Sequence, residues 1–235
     1  MKKMVIGVVG GMGSYATVDF FKRIIDSFPG EKEWDRPRVL IDNFCTMPSR
    51  VRAILYNEKR DELVSDLSSS VSHLLDAGAT HIILACNTSH VFLPDIIKNT
   101  NIDESVFVHI IDECASSIYN ADVKKVSLMA SEGTIETGIY EEYCSKYGVE
   151  VNAPSDKQYA LLREFIEAVK QNKYSDEILD KFELFIDECE YDAILGCTEL
   201  PILYAKCLDR GYKANKKVFD PLQSAIDVLL AEYNQ

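Results

Sequence analysis

Cys86 in Ala85-Cys86-Asn87-Thr88 and Cys197 in Gly196-Cys197-Thr198-Glu199 each follow a short apolar run, His81-Ile82-Ile83-Leu84 and Asp192-Ala193-Ile194-Leu195. Runs this brief and β-branched predict buried strands, so each thiol stands where a strand ends. In α/β sheets ligands gather outside the carboxyl ends of strands. Two thiols at two such ends, in corresponding places of two similar half-chains, predict acid/base groups facing one small molecule from opposite sides. That arrangement suits inversion of a carbon centre. A free thiol titrates near ~8.5 and a helix N-terminus lowers it, which allows one thiolate and one thiol near neutrality. Taken singly, either cysteine reads as an ordinary buried side chain. The pair favours chemistry because both members are followed by small polar residues, Asn87-Thr88 and Thr198-Glu199, able to hold a ligand or cap a helix.

Other residues could support such a pair. The loop Gly10-Gly11-Met12-Gly13-Ser14 lies between a predicted strand and helix, and its spacing is neither GxGxxG nor a P-loop. The backbone of Gly11, Met12 and Gly13 predicts an amide cradle for a carboxylate, with a tight turn and close helix packing as the competing reading. His90, one helical turn after Cys86, either tunes that thiol or only packs. Glu199 either orients the Cys197 thiol or occupies a helix first turn, where negative charge is favourable. Tyr15 and Thr17 read as loop and helix residues with possible substrate contact.

Strands alternate with helices along the chain: strands at 4–9, 38–42, 81–85, 107–111, 126–130, 149–151 and 192–195, and helical stretches at 15–28, 56–76, 134–146, 157–171 and 176–189. Val218-Phe219-Asp220-Pro221 predicts a last strand entering a helix, with Asp220 as N-cap and Pro221 at the first helical position. The fold class is α/β: two pseudo-equivalent lobes, each a parallel sheet flanked by helices, with the active site in the cleft between them. Residues 1–112 form the first lobe, with 213–235 packing back on it, and 113–212 form the second. No linker is rich in Gly, Pro or Ser, so the lobes are expected to share a broad interface.

Composition narrows the function classes. The 235 residues are 47% hydrophobic, enough for a core. Their 25 basic and 38 acidic residues give a formal net charge of −13 without a basic cluster, which argues against nucleic acid as partner. Seven cysteines without a CxxC pair read as free thiols. Cys86 with His90 falls short of a tetrahedral ligand set, so no metal is expected. No apolar stretch approaches the roughly 20 residues of a membrane helix, and Met1-Lys2-Lys3-Met4 leads into a strand without a signal-peptide region. A cytoplasmic protein with no membrane contact is expected.

Val8-Val9-Gly10-Gly11-Met12-Gly13, Ala85-Cys86-Asn87-Thr88-Ser89-His90 and Gly196-Cys197-Thr198-Glu199-Leu200-Pro201 together resemble the aspartate racemase group of the aspartate/glutamate racemase superfamily. Pro48-Ser49-Arg50 and Met129-Ala130-Ser131-Glu132-Gly133-Thr134 are similar to that family too, so the match spans nearly the whole chain. The resemblance implies a homodimeric, cofactor-independent racemase of an amino-acid substrate, aspartate or glutamate, in which one cysteine removes the α-proton and the other delivers one to the opposite face. It makes Arg50 the ligand of the side-chain carboxylate, a role that suits a bidentate guanidinium. Asn87, Thr88, Thr134 and Thr198 would hold the α-carboxylate and ammonium. For the basic residue of the second half, Arg163 is the candidate, with Lys157 or Lys170 as replacements. Cell-wall glutamate racemase, dicarboxylate decarboxylases or isomerases, a non-catalytic amino-acid sensor and a cysteine hydrolase are the alternatives. Gly10-Gly11-Met12-Gly13 and Thr198-Glu199 depart from the Asp-Ser-Gly and Gly-Cys-Thr-His expected of the first.

Overall fold

A computed structural model of the chain describes residues 4–234. Strands β1 (Val5–Gly10), β2 (Arg38–Asn43) and β3 (His81–Leu84) form a parallel sheet ordered β2-β1-β3. Strands β4 (Lys125–Ala130), β5 (Glu150–Asn152), β6 (Asp192–Gly196) and β7 (Val218–Phe219) form a second, ordered β5-β4-β6-β7. The two-lobed α/β architecture expected from the alternation is the one adopted. The central strands are buried almost end to end, as parallel strands covered on both faces must be. Val9 pairs with Leu84 and Ala130 with Gly196. Cys86 and Cys197 therefore leave corresponding ends of corresponding strands.

Eleven α-helices are formed by the described residues: α1 (Ser14–Ser27), α2 (Arg50–Tyr56), α3 (Arg60–Asp76), α4 (Leu93–Thr100), α5 (Ile110–Asn120), α6 (Glu132–Glu136), α7 (Ile139–Lys146), α8 (Asp156–Lys170), α9 (Asp176–Asp187), α10 (Leu200–Asp209) and α11 (Pro221–Tyr233). Four expectations are corrected. The strand at 107–111 reduces to a single bridge between Ile82 and Phe107, after which His109 caps α5. Burial of Ile110, Ile111, Cys114, Ala115 and Ile118 gives that segment helical periodicity, which outweighs its β-branched start. The stretch 56–76 begins at Arg50 and breaks at Asn57 and Lys59, both left-handed, while 134–146 breaks at Gly138. Finally, β7 is an edge strand of the second sheet rather than part of the first lobe. Only α11 reaches back, lying against α5 and α1. Asp220 caps it by accepting from the Leu222 and Gln223 amides and also receives Arg23 of α1 at 2.5 Å.

Burial divides into three clusters. One lies over β1 and β3 with α3, and another over β4 and β6 with α8, α9 and α10. The central cluster is common to both halves: Ile6 and Val8 of β1 and Leu128 of β4 join Ile111 of α5 and Ile226 of α11. The lobes thus share one core.

Candidate active site

The ends of β3 and β6 open on a small cavity of about 60 Å³ between the halves, lined by both Cys86 and Cys197 together with Arg50, Thr88, Lys170 and Glu199. After β3 the chain turns at once into a buried 3-10 run, Asn87–Phe92, which aims Cys86 and Thr88 at the cavity. After β6, Cys197 and Glu199 line the same cavity just before α10, whose first turn holds Pro201.

Buried Glu199 accepts a hydrogen bond from the Cys197 thiol at 2.9 Å through Oε2. Burial, then the Glu199 charge and this bond, push the Cys197 thiol well above its ordinary range. Cys197 is therefore a proton-bearing thiol, and Cys86 has no such carboxylate. Burial works against the Lys170 ammonium, yet Glu199, Cys197 and Glu167 outweigh it and raise its pKa. Lys170 stays charged beside the second thiol.

Three buried polar atoms of lining residues have no hydrogen-bond partner among the described residues: Asn87 Nδ2, Arg50 Nε and Glu199 Oε1. Tyr140 donates to Asn87 Oδ1 at 2.6 Å and so turns the amide donor away from itself. Arg50 is held by its other nitrogens to the carbonyls of Pro48 and Met12. Each unpaired buried group costs about 1–3 kcal/mol until something satisfies it. Two donors, one acceptor and a lysine make a binding surface for carboxylates and an ammonium group. Among the described residues no group of three or more His, Cys, Asp or Glu is placed to hold a metal, and no helix is long and apolar enough to cross a membrane.

Other candidate residues take different places. Met12 and Thr198 line the cavity, whereas Gly11 and Gly13 do not. Gly11 has φ +82°, and its amide is taken by the Thr17 hydroxyl, so this part of the expected cradle is already occupied. A Cβ on Gly13 would stand 2.8 Å from Glu199 Oε1, so that glycine makes room for the carboxylate. Thr134 is buried behind the cavity and bonds the Thr88 hydroxyl at 2.7 Å, with Ser131 closing the triangle. Three hydroxyls thus tie the halves together beside Cys86. His90 directs Nδ1 at the Cys86 carbonyl, 3.0 Å away, not at the thiol. Arg163 is paired with Glu132 and lines a neighbouring cavity, while Lys170, further along α8, lines the cavity of the two thiols. Tyr15 is exposed and lines neither cavity. Sequence reasoning gave Ser131 no role and missed Tyr140. Its place in the segment Met129–Thr134, three residues before the predicted Thr134, was the available signal for Ser131.

The sequence pattern of the Asp/Glu/Hydantoin racemase family matches residues 9–229. The chain belongs to this family. Among relatives of this racemase, the broad specificity amino-acid racemase RacX of Bacillus subtilis is 26% identical over 202 residues, covering 83% of this chain and 85% of that one. Picrophilus torridus aspartate racemase superposes with a TM-score of 0.82 at 24% identity, over 98% of this chain and 94% of the other. An aspartate racemase homologue from Pyrococcus horikoshii gives 0.74 at 25% identity over the full length of both. These likenesses agree with the two-lobed fold, and the family makes the chain a racemase.

Proposed function

We propose that this racemase acts without a cofactor on an acidic amino acid, aspartate foremost, by proton transfer between Cys86 and Cys197. The observation that carries the reading is the cavity itself: thiols from both halves meet there beside unpaired donors of Asn87 and Arg50 and the unpaired acceptor of Glu199. Formal charges support the substrate class. Arg50 and Lys170 offer two cations for the two carboxylates of an acidic amino acid, and Glu199 an anion for its ammonium. Arg50 takes the side-chain carboxylate, Asn87 and Thr88 the α-carboxylate, and Glu199 the ammonium.

In one direction the Cys86 thiolate removes the α-proton and becomes a thiol. Negative charge passes into the α-carboxylate, where the Asn87 amide and Thr88 hydroxyl stabilise it. The Cys197 thiol then protonates the opposite face and becomes the thiolate. In the other direction the roles exchange. No redox step occurs, and one proton is taken for each one given.

The adjoining cavity of about 210 Å³ shares Ser49, Val51, Ser131, Ile166 and Lys170 with the site, which favours a second reading in which longer side chains are also accepted. The proposal includes a cytoplasmic homodimer with lobes at 1–112 and 113–212. Single enantiomers of aspartate, glutamate and larger amino acids incubated in deuterated buffer test it, with optical rotation followed alongside loss of Cα–H. Aspartate should lose both together. Cys86→Ala and Cys197→Ala should each lower the rate by about 10²–10⁴ or more, since either leaves one face without a proton carrier. Near wild-type racemisation by either variant would refute the two-thiol assignment.

A further inference from the structure

The turn that carries Cys86 also contributes to a second cavity, of about 430 Å³, between α4 of the first half and α7 of the second. Its walls include Val91, Leu93, Ile97, Ile139 and the ring of Tyr143, and its other four polar residues share one property. His90, only 3% exposed, has a single hydrogen bond, from Nδ1 to the Cys86 carbonyl. A carbonyl only accepts, so Nδ1 carries the proton. Burial, with His109 beside it, keeps the ring neutral, which leaves Nε2 as a bare acceptor. Thr137 donates its hydroxyl proton to the Thr134 carbonyl at 2.8 Å and likewise has only lone pairs to offer. Glu104 and Glu142 line the same cavity and join no ion pair among the described residues. Lys146, one turn beyond Glu142, instead lies 3.6 Å over the Tyr143 ring.

Apolar walls with acceptors at these four polar positions select for charge and for hydrogen bonding together. We propose that this cavity binds a small organic cation, an amphipathic amine or guanidine, with its body between α4 and α7. The cationic group meets Glu104 and Glu142, and a further donor reaches His90 Nε2. An acidic amino acid is repelled here, so the cavity is no second substrate site. Both deep contacts lead to the catalytic pocket, through His90 to the Cys86 carbonyl and through Thr137 to Thr134 and Thr88. Occupancy therefore alters turnover, a consequence that rests on the racemase reading above. Binding itself does not.

Tyramine serves as the probe, and 4-hydroxyphenylacetate, of similar body and opposite charge, as the control. Calorimetry on the full chain should show saturable one-to-one binding of tyramine and none of the anion. Glu104→Gln with Glu142→Gln, both at exposed positions, should weaken tyramine by about tenfold or more. Ile97→Trp should abolish binding by filling the cavity. The site is refuted if tyramine gives no saturation by about 10 mM, if the anion binds equally, or if the double variant binds as wild type does. Tyramine binding that emerges only on dilution of a self-associated chain would put a second copy in the cavity and equally overturn the small-cation reading. Racemisation kcat should change over the concentrations that saturate the heat signal, and an unchanged kcat would overturn the coupling.

Discussion

Glu199 and Lys170 set the character of the second thiol more than any group sets the first. The Glu199 carboxylate raises the Cys197 pKa through its charge and its hydrogen bond. Removing the charge must lower that pKa. In Glu199→Gln the limb of the pH–rate profile that reports Cys197 ionisation should accordingly move to lower pH, with kcat reduced in both directions because the thiol loses its acceptor. An unmoved limb, or one displaced to alkaline pH, would exclude Glu199 as a group acting on Cys197. Lys170 and Arg163 provide a second residue-scale contrast on one helix. Lys170→Met should lower kcat/KM for aspartate by about tenfold or more, the worth of a charge-assisted contact to a carboxylate. Arg163→Ala, which breaks a largely exposed pair with Glu132, should stay within a few-fold. A larger loss at Arg163 than at Lys170 would reverse the assignment.

At the scale of elements, α5 couples the site to acid stability. His109 caps this helix by accepting from the Asp112 amide, stacks on Tyr143 and packs edge-on against His90. Burial brings its pKa down to about 4. An unfolded histidine titrates near ~6.5, so on acidification the unfolded chain takes up this proton first. Stability that is intact at pH 7 should fall once the pH drops below about 6.5 and level off below about 4, with about 2 kcal/mol lost by pH 5. His109→Asn keeps a capping side chain without the titration, and should show a smaller loss between pH 7 and 5 in denaturant unfolding. Equal losses would show that other groups set the acid limb. The same helix marks a limit of reading from sequence. Strands such as β1 and β3 were legible because their apolar runs are short and branched, and the thiol motifs located the site. Helix α5 begins with the same residue types, and only its buried partners distinguish it. The breaks at Asn57 and Lys59 use left-handed residues other than glycine, which carry little signal. Choosing Lys170 over Arg163 required knowing which face of α8 meets the cavity, and Tyr140 is linked to Asn87 only through tertiary packing.

For the whole molecule, the common central core makes the two lobes one thermodynamic unit. Ile6, Leu128, Ile111 and Ile226 belong to the same buried cluster, and the Thr88, Ser131 and Thr134 hydroxyls bridge the halves at the site. Calorimetry should therefore give a single transition with equal calorimetric and van't Hoff enthalpies. Two resolved transitions would mean that the lobes unfold separately. The Cys197–Glu199 contact, which has no counterpart on Cys86, bears on this unit in another way. Each inversion through the proposed pair ends with the proton and the thiolate on exchanged sulfurs, so the enzyme that releases one enantiomer is poised to accept that enantiomer again. Under that proposal the free protein would retain a record of the hand it last produced, and solvent would have to erase it before the same conversion could repeat. Because one sulfur is tied to a carboxylate and the other is not, the two records differ in energy. By the same proposal, a catalyst of a reaction with no preferred direction would rest in a preferred handed state.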